Sequence, residues 1–235
     1  MNKIRFLFSK IPVLKKINFL LAHIQYRLGC SHMLAYPVKL TIDACNYCNL
    51  RCQLCPVGTR QKGRTQKHMS LELFSKIIDE CGKFLISIDL FNWGEPLLNN
   101  DIFKMISKAK KHKIKISVSS NLMVFNDDIC KKIISSGLDK LIISLDGASQ
   151  KSVEKYQKGA DFCQIINHIR LLSKVKKKLN SLTPLIKWRF LINKFNENEI
   201  NQAKTIANEI GVDYLEFGIF RCDMGQEIFL NNNAE

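Results

Sequence analysis

The residues best able to do chemistry stand together in Cys48-Asn49-Leu50-Arg51-Cys52-Gln53-Leu54-Cys55-Pro56. Cys48, Cys52 and Cys55 repeat as Cys-x3-Cys-x2-Cys. Each can present a thiolate to one iron of a [4Fe–4S] cluster, a centre that cysteine thiolates hold. Three ligands for four irons leave one iron open, and an open metal position separates a reactive site from a closed structural one.

Such a loop needs a scaffold. Pro37–Asp43 alternates and reads as a first strand that feeds the cysteines, and Gly58–Lys67 reads as an exposed basic loop. Ser70 is placed to cap a helix over Leu71–Cys81, with Gly82 at its end. Phe84–Phe91 is the second strand, ending in Asn92-Trp93-Gly94-Glu95-Pro96, and Ile102, Met105, Ile106 and Ala109 mark the next helix. Ile114–Ser119 is the third strand; Asn126 or Asp127 caps a helix through Ile134 that Gly137 closes. Leu141–Leu145 is the fourth strand, and residues 150–177 are helical with a break near Gly159. Ile186–Ile192, the helix Glu197–Ile210 and Val212–Ile219 complete the series. Strands alternating with helices give a parallel sheet with right-handed crossovers. Six units fall short of the eight of a closed barrel. The expected fold is therefore α/β, a partial, open (β/α)6 TIM-like barrel over 37–220, after an N-terminal helical extension (1–36) and before a short tail (221–235). Chemistry in such barrels sits at the C-terminal ends of the strands. Polar groups fall there in successive units: Gly94, Glu95 and Pro96, then Ser119 and Asn121, then Ser144 and Asp146.

The cysteine spacing, with Asn49-Leu50-Arg51 and Pro56 around it, resembles the cluster loop of the radical S-adenosylmethionine (radical SAM) superfamily. The resemblance implies the same partial barrel and two cofactors, a [4Fe–4S] cluster and SAM. SAM would chelate the open iron through its amino and carboxylate groups. The cluster would donate an electron, and a 5′-deoxyadenosyl radical would abstract hydrogen from substrate. A low-potential electron donor of the flavodoxin or ferredoxin type is implied as partner. Gly94-Glu95-Pro96 resembles the family's Gly-Gly-Glu-Pro motif, with Trp93 in place of the first glycine, and implies a hold on the SAM ammonium. Ser119 and Asn121 stand where the family binds ribose or carboxylate, and Ser144 and Asp146 where it contacts ribose. Leu54 stands where an often aromatic residue packs on adenine. Asp146-Gly147 with Tyr156, Lys158-Gly159, Asp161-Phe162 and Ile165 is similar to the branch that carries a C-terminal SPASM domain and modifies peptides, proteins or sugar-like substrates. The tail to Glu235 has only Cys222, so that domain's cysteines are missing. A minimal core and an inactive truncated fragment are both compatible with this.

Cys45 extends the run to Cys45-x2-Cys48-x3-Cys52-x2-Cys55. A four-cysteine cluster in an electron-transfer or binding protein is the competing reading, although ferredoxin spacings run x2, x2, x3. A zinc site is a further option, but its two halves usually stand ~12–20 residues apart. Cys81, Cys130 and Cys163 fall in helices and read as small hydrophobes. Nine cysteines without a convincing signal-peptide cleavage site point to a reducing, cytoplasmic compartment.

The formal charge of +15 suits a solvated lysine surface, an anionic membrane or nucleic acid. An RNA-modifying enzyme is the nucleic-acid version, without a recognisable RNA-binding module. In the extension, Leu14, Ile17, Leu20, Leu21 and Ile24 recur at helical spacing among lysines. That pattern fits a helix packed on the main domain or a membrane-surface contact.

Overall fold

Runs of Ile, Leu, Val and Phe become strands here because alternate residues, such as Ile186, Trp188 and Phe190, are buried on one face of the sheet. The computed structural model describes residues 11–60, 63 and 65–219. Its strands are β1 (Lys39–Thr41), β2 (Ser87–Asp89), β3 (Lys115–Ser120), β4 (Lys140–Ser144), β5 (Leu185–Ile192) and β6 (Tyr214–Ile219). All neighbours pair in parallel in the order β1-β2-β3-β4-β5-β6. The sheet is thus the open six-stranded array that the alternation predicts. Helix α1 (Val13–Arg27) precedes it. The crossovers are α2 (Leu71–Cys81), α3 (Ile102–Lys111), α4 (Asp127–Ser135), α5 (Gln150–Tyr156) with α6 (Phe162–Lys178), and α7 (Ile200–Ile210).

Local chemistry sets the element ends. Ser70 Oγ accepts the Leu73 N–H at 3.1 Å, and Asn126 Oδ1 accepts the Ile129 N–H at 2.8 Å. Gly159 at φ 88° breaks the helical run between α5 and α6. The helix predicted from Glu197 begins as a 3-10 turn, Glu197–Glu199, before α7. β1 and β2 are shorter than their apolar runs. Their flanks still bond across, Ile42 N–H to Asp89 O and Leu90 N–H to Ser117 O, while the chain turns away into loops. Cys163 is exposed, contrary to its reading as a small core hydrophobe. The proposed tail 221–235, with Cys222, lies outside the described residues.

One strand shows how the sheet divides its faces. In β5, Ile186, Trp188 and Phe190 join the buried core under the helices, while Arg189 and Leu191 face the cleft described below. The Trp188 indole donates to Leu145 O at 2.7 Å, so its burial leaves no donor unmet.

Two strand entries carry the same clasp. Asp139, before β4, accepts the Ile116 N–H at 2.8 Å and the Lys110 ammonium at 2.6 Å. Asp213, before β6, accepts the Ile186 N–H at 2.7 Å and the Lys176 ammonium at 2.6 Å. Each follows a positive-φ glycine, in Gly137-Leu138-Asp139 and Gly211-Val212-Asp213.

Helix α1 packs on the sheet's entry end with its polar side inward. Lys15 is 2% exposed and donates to Leu85 O at 2.5 Å and His112 O at 2.6 Å. Burial first, then repulsion from Lys110 and Lys113, pushes its ammonium down to about 8.

The clasps differ in what a lost carboxylate would strand. The Lys176 side chain is 11% exposed and that of Lys110 is 30%. Asp213→Ala is expected to cost about 2–3 kcal/mol in urea unfolding and Asp139→Ala about 1–2. The reverse order would show that burial of the lysine does not set the penalty.

Candidate active site

The loop after β1 is fixed along its length. Tyr47 O accepts the Glu95 N–H at 2.9 Å, Lys158 O the Arg51 N–H at 3.0 Å, and Tyr156 O the Gln53 N–H at 3.2 Å. Leu50 is buried in the core as an apolar peg. Two glycines permit backbone approach that no side chain would allow. A Cβ at Gly94 would lie 1.9 Å from Cys45 O, and one at Gly58 would lie 2.4 Å from Cys52 O. Gly58, read from sequence as exposed loop, is buried under the cysteine turn.

Cys48, Cys52 and Cys55 line one cleft of about 580 Å³ at the C-terminal ends of the strands. The Cys48 sulfur accepts the Leu50 N–H at 3.4 Å and the Asn121 amide at 3.5 Å. Burial pushes the Cys48 thiol up to about 11. Burial, then the neighbouring Cys48 and Cys55, raises Cys52 far above the ordinary thiol range. Cys45 does not join them. Its thiol is 2% exposed, donates to Tyr47 O at 3.3 Å, and forms no part of the cleft wall. Among the described residues, no three His, Cys, Asp or Glu side chains converge on one ion. A mononuclear zinc site needs that convergence, whereas a cubane spreads its thiolates over separate irons.

Successive strand ends supply the remaining walls. Leu54, Gly94, Glu95, Ser119, Asn121, Ser144 and Asp146 all face the cleft. Pro96 does not: it is buried at the start of a 3-10 turn, Pro96–Leu98, and shapes the chain from behind. Glu95, 1% exposed, accepts the Leu97 N–H on Oε1 at 3.1 Å and the Asn121 N–H on Oε2 at 2.9 Å. Burial pushes its carboxyl up to about 7, against those bonds. Asp146 Oδ1 accepts the Leu191 N–H at 2.8 Å, and burial pushes this carboxyl up to about 6.

Tyr156, Gln157 and Arg189 are among the wall residues that sequence reasoning did not assign to the site. Arg189 Nη2 donates to Ser144 Oγ at 2.8 Å, and Ser144 lies 3.0 Å from Ser119 Oγ. Gln157 accepts the Asp146 N–H at 2.8 Å and donates to Ser144 O at 3.0 Å. Arg189 had a sequence signal: a charge between Trp188 and Phe190, in the inward phase of a strand. Gln157 had none, because only the turn after α5 brings it back to β4.

The family model of the radical SAM superfamily matches residues 42–187. This chain belongs to the radical SAM superfamily. A probable GTP 3′,8-cyclase of Methanocaldococcus jannaschii is 29% identical over 174 residues, covering 74% of this chain and 56% of the relative. A cofactor-modifying protein for a tungsten-containing aldehyde ferredoxin oxidoreductase, from Pyrococcus furiosus, is 25% identical, with 74% and 49% covered. The chain spans about half the length of these curated relatives. In structure it resembles Streptococcus suis SuiB bound to S-adenosylmethionine, with a TM-score of 0.71, 15% identity, and 91% of this chain and 47% of that one covered. That likeness concerns the fold.

Radical SAM enzymes use a [4Fe–4S] cluster and SAM, and three features of the cleft fit them. The donor set is three thiols on one turn. Gly94 brings bare backbone to the cleft wall, where the Cys45 carbonyl leaves no room for a Cβ. Arg189 Nε is buried without an acceptor, which a ligand oxygen in the cleft would supply. The raised thiols of Cys48 and Cys52 stay protonated, so both must release a proton on binding iron.

Gly94→Ala is expected to cost about 3 kcal/mol or more, because backbone must move. Trp93→Ala, at a rim residue 42% exposed, should stay within about 0.5 kcal/mol. Urea unfolding of the metal-free protein separates the two. A raised carboxyl keeps its proton longer in the folded chain than in the unfolded one. Its stabilisation is complete below pH 4.5 and is lost as pH rises through about 7. For Glu95 the difference is on the order of 3 kcal/mol. Glu95→Gln should flatten the stability profile between pH 4.5 and 7 by that amount, and an unchanged slope would refute the assignment.

Proposed function

We propose that this chain is the catalytic core of a radical SAM enzyme that abstracts hydrogen from a peptide, protein or sugar-like substrate. The observation that carries the reading is the convergence of Cys48, Cys52 and Cys55 with the polar ends of β2, β3, β4 and β5 on one cleft. Cys48, Cys52 and Cys55 hold the cluster, and SAM occupies the remaining iron. When bound, the pair supplies an electron from the cluster that cleaves SAM and yields a 5′-deoxyadenosyl radical. A low-potential donor of the flavodoxin or ferredoxin type provides that electron.

The chain's own residues bind and orient. Glu95 accepts the Leu97 and Asn121 N–H groups and the Ser120 hydroxyl, and the roughly four lone-pair sites of a carboxylate leave room for the SAM ammonium beside Gly94. The Ser119–Ser144 pair and Arg189 present donors to ribose and carboxylate oxygens. Leu54 offers an apolar contact where an aromatic ring would stack. Asn121 holds the Cys48 sulfur by a hydrogen bond, and bonds to cluster sulfurs tune reduction potential.

Support for a peptide substrate is indirect. Other solved relatives in fold include SuiB bound to its precursor peptide SuiA, at a TM-score of 0.68 and 16% identity.

The test is anaerobic reconstitution with iron and sulfide, then dithionite, SAM and a 5′-deoxyadenosine assay. Production is expected in the wild type and in Cys45→Ala, and a loss of more than ~100-fold in Cys48→Ala, Cys52→Ala and Cys55→Ala. A stable cluster that never cleaves SAM would favour an electron carrier. Equal cluster loss in Cys45→Ala and Cys52→Ala would establish a four-cysteine site.

A further inference from the structure

Helix α1 is amphipathic with its faces reversed relative to an ordinary packed helix. The stripe turned to the protein is Lys15, Asn18 and Gln25, each 7% exposed or less. Hydrogen bonds fix that orientation. Lys15 donates to the carbonyls of Leu85, His112 and Lys113, at the entries of β2 and β3. Asn18 clasps Tyr36 both ways at 2.9 Å, and Gln25 Oε1 accepts the N–H groups of Leu34 and Ala35. These contacts are specific and directional, so the helix cannot roll its other side inward without stranding them.

The outward side is greasy. Val13 is 69% exposed, Ile17 57%, Leu20 58%, Ile24 44% and Leu28 73%. At 3.6 residues per turn these form one stripe, flanked by Lys16 and Arg27. An isolated exposed leucine means little, but a whole helical stripe of them marks a contact surface. Charge says what covers it. Residues 1–42 contain Lys3, Arg5, Lys10, Lys15, Lys16, Arg27 and Lys39, and no aspartate or glutamate. A second copy docked stripe to stripe would set cation against cation with no carboxylate to pair them. A surface that is negatively charged outside and apolar within satisfies both features. No helix among the described residues is long and apolar enough to cross a membrane, so the contact is in the plane of the surface.

We propose that α1 docks this protein on anionic phospholipid bilayers through its Val13–Leu28 stripe, with the strand-entry end of the barrel toward the lipid. The cleft, at the opposite ends of the strands, then opens toward water. Docking at one end therefore leaves the route to the cysteine loop clear.

The test is co-sedimentation of the full chain, metal-free, with vesicles of phosphatidylcholine alone and of phosphatidylcholine with 30 mol% phosphatidylglycerol, a fraction on the order of that needed for a strong negative surface potential. Partitioning is expected to be at least ~10-fold stronger on the anionic vesicles and to fall steeply with salt. Ile17→Asp with Leu20→Asp should reduce it at least ~10-fold. Both positions are more than half exposed, so circular dichroism and thermal unfolding should match the wild type. Three results would each overturn the proposal. One is equal binding to neutral and anionic vesicles or to neither. The second is a dimer in light scattering that the double variant dissolves. The third is vesicle binding that survives the double variant but disappears when residues 2–10 are deleted. None depends on the cluster or on SAM, so failure here leaves the proposed reaction standing.

Discussion

Glu95 ties three strand ends into one mouth. Its N–H donates to Tyr47 O in the loop after β1, and its carboxylate takes the Leu97 N–H beyond β2 and the Asn121 N–H beyond β3. Asn121 in turn reaches the Cys48 sulfur. The position of the cysteine turn relative to β3 is therefore set by a fully buried acid and its neighbour. Such an acid is costly to bury unless it is satisfied. Two backbone donors and the Ser120 hydroxyl meet that demand, and the raised carboxyl records the part of the cost that remains. Gly94 completes the arrangement. Only a residue without Cβ lets the β2 turn lie against the carbonyl of Cys45 closely enough for the Glu95 N–H to reach Tyr47.

The same contact explains why four neighbouring cysteines divide into three and one. Cys45 lies where the chain leaves β1, beneath the β2 turn. Its backbone pairs with His68 and its thiol is turned to Tyr47 O. The chain reverses after Tyr47, and only then do thiols reach the cleft. Sequence proximity suggested a four-ligand centre. The packing of Gly94 on Cys45 separates that residue from the others.

What could be read from the sequence was what short-range physics decides. The βα alternation, the Ser70 and Asn126 caps and the left-handed Gly211 all follow from local rules, and the strand ends carry the polar residues those rules locate. Contacts between distant segments were not legible. The polar stripe of α1 turns inward because the carbonyls of Leu85 and His112 need a donor, and only the folded chain brings them beside Lys15. Periodicity revealed the stripe of Leu14, Ile17, Leu20 and Ile24 but not the direction it faces. Glu95 was legible as a strand-end acid, while its hydrogen bonds were not, because they depend on where β3 ends. Pro96 was grouped with its motif neighbours, yet a proline opening a 3-10 turn sits behind the wall they form.

The far wall of the cleft has a direction built into its hydrogen bonds. A guanidinium can only donate. Arg189 donates to Ser144 Oγ, which shares one hydrogen bond with Ser119 Oγ at 3.0 Å. Two hydroxyls share that one bond, so one of the two hydrogens is left for the cleft. Arg189 Nε adds a second donor with no acceptor in the protein. The Asp146 carboxylate could reverse this polarity, but its Oδ1 is committed to the Leu191 N–H and Gln157 binds the adjacent backbone. The wall opposite the cysteines therefore offers hydrogen-bond donors to the cleft. The cleft is thus polarised, with the thiols of Cys48, Cys52 and Cys55 on one wall and hydrogen-bond donors of the strand ends on the other. That polarity needs no charged partner from outside the barrel, because Arg189 supplies it from the middle of a strand.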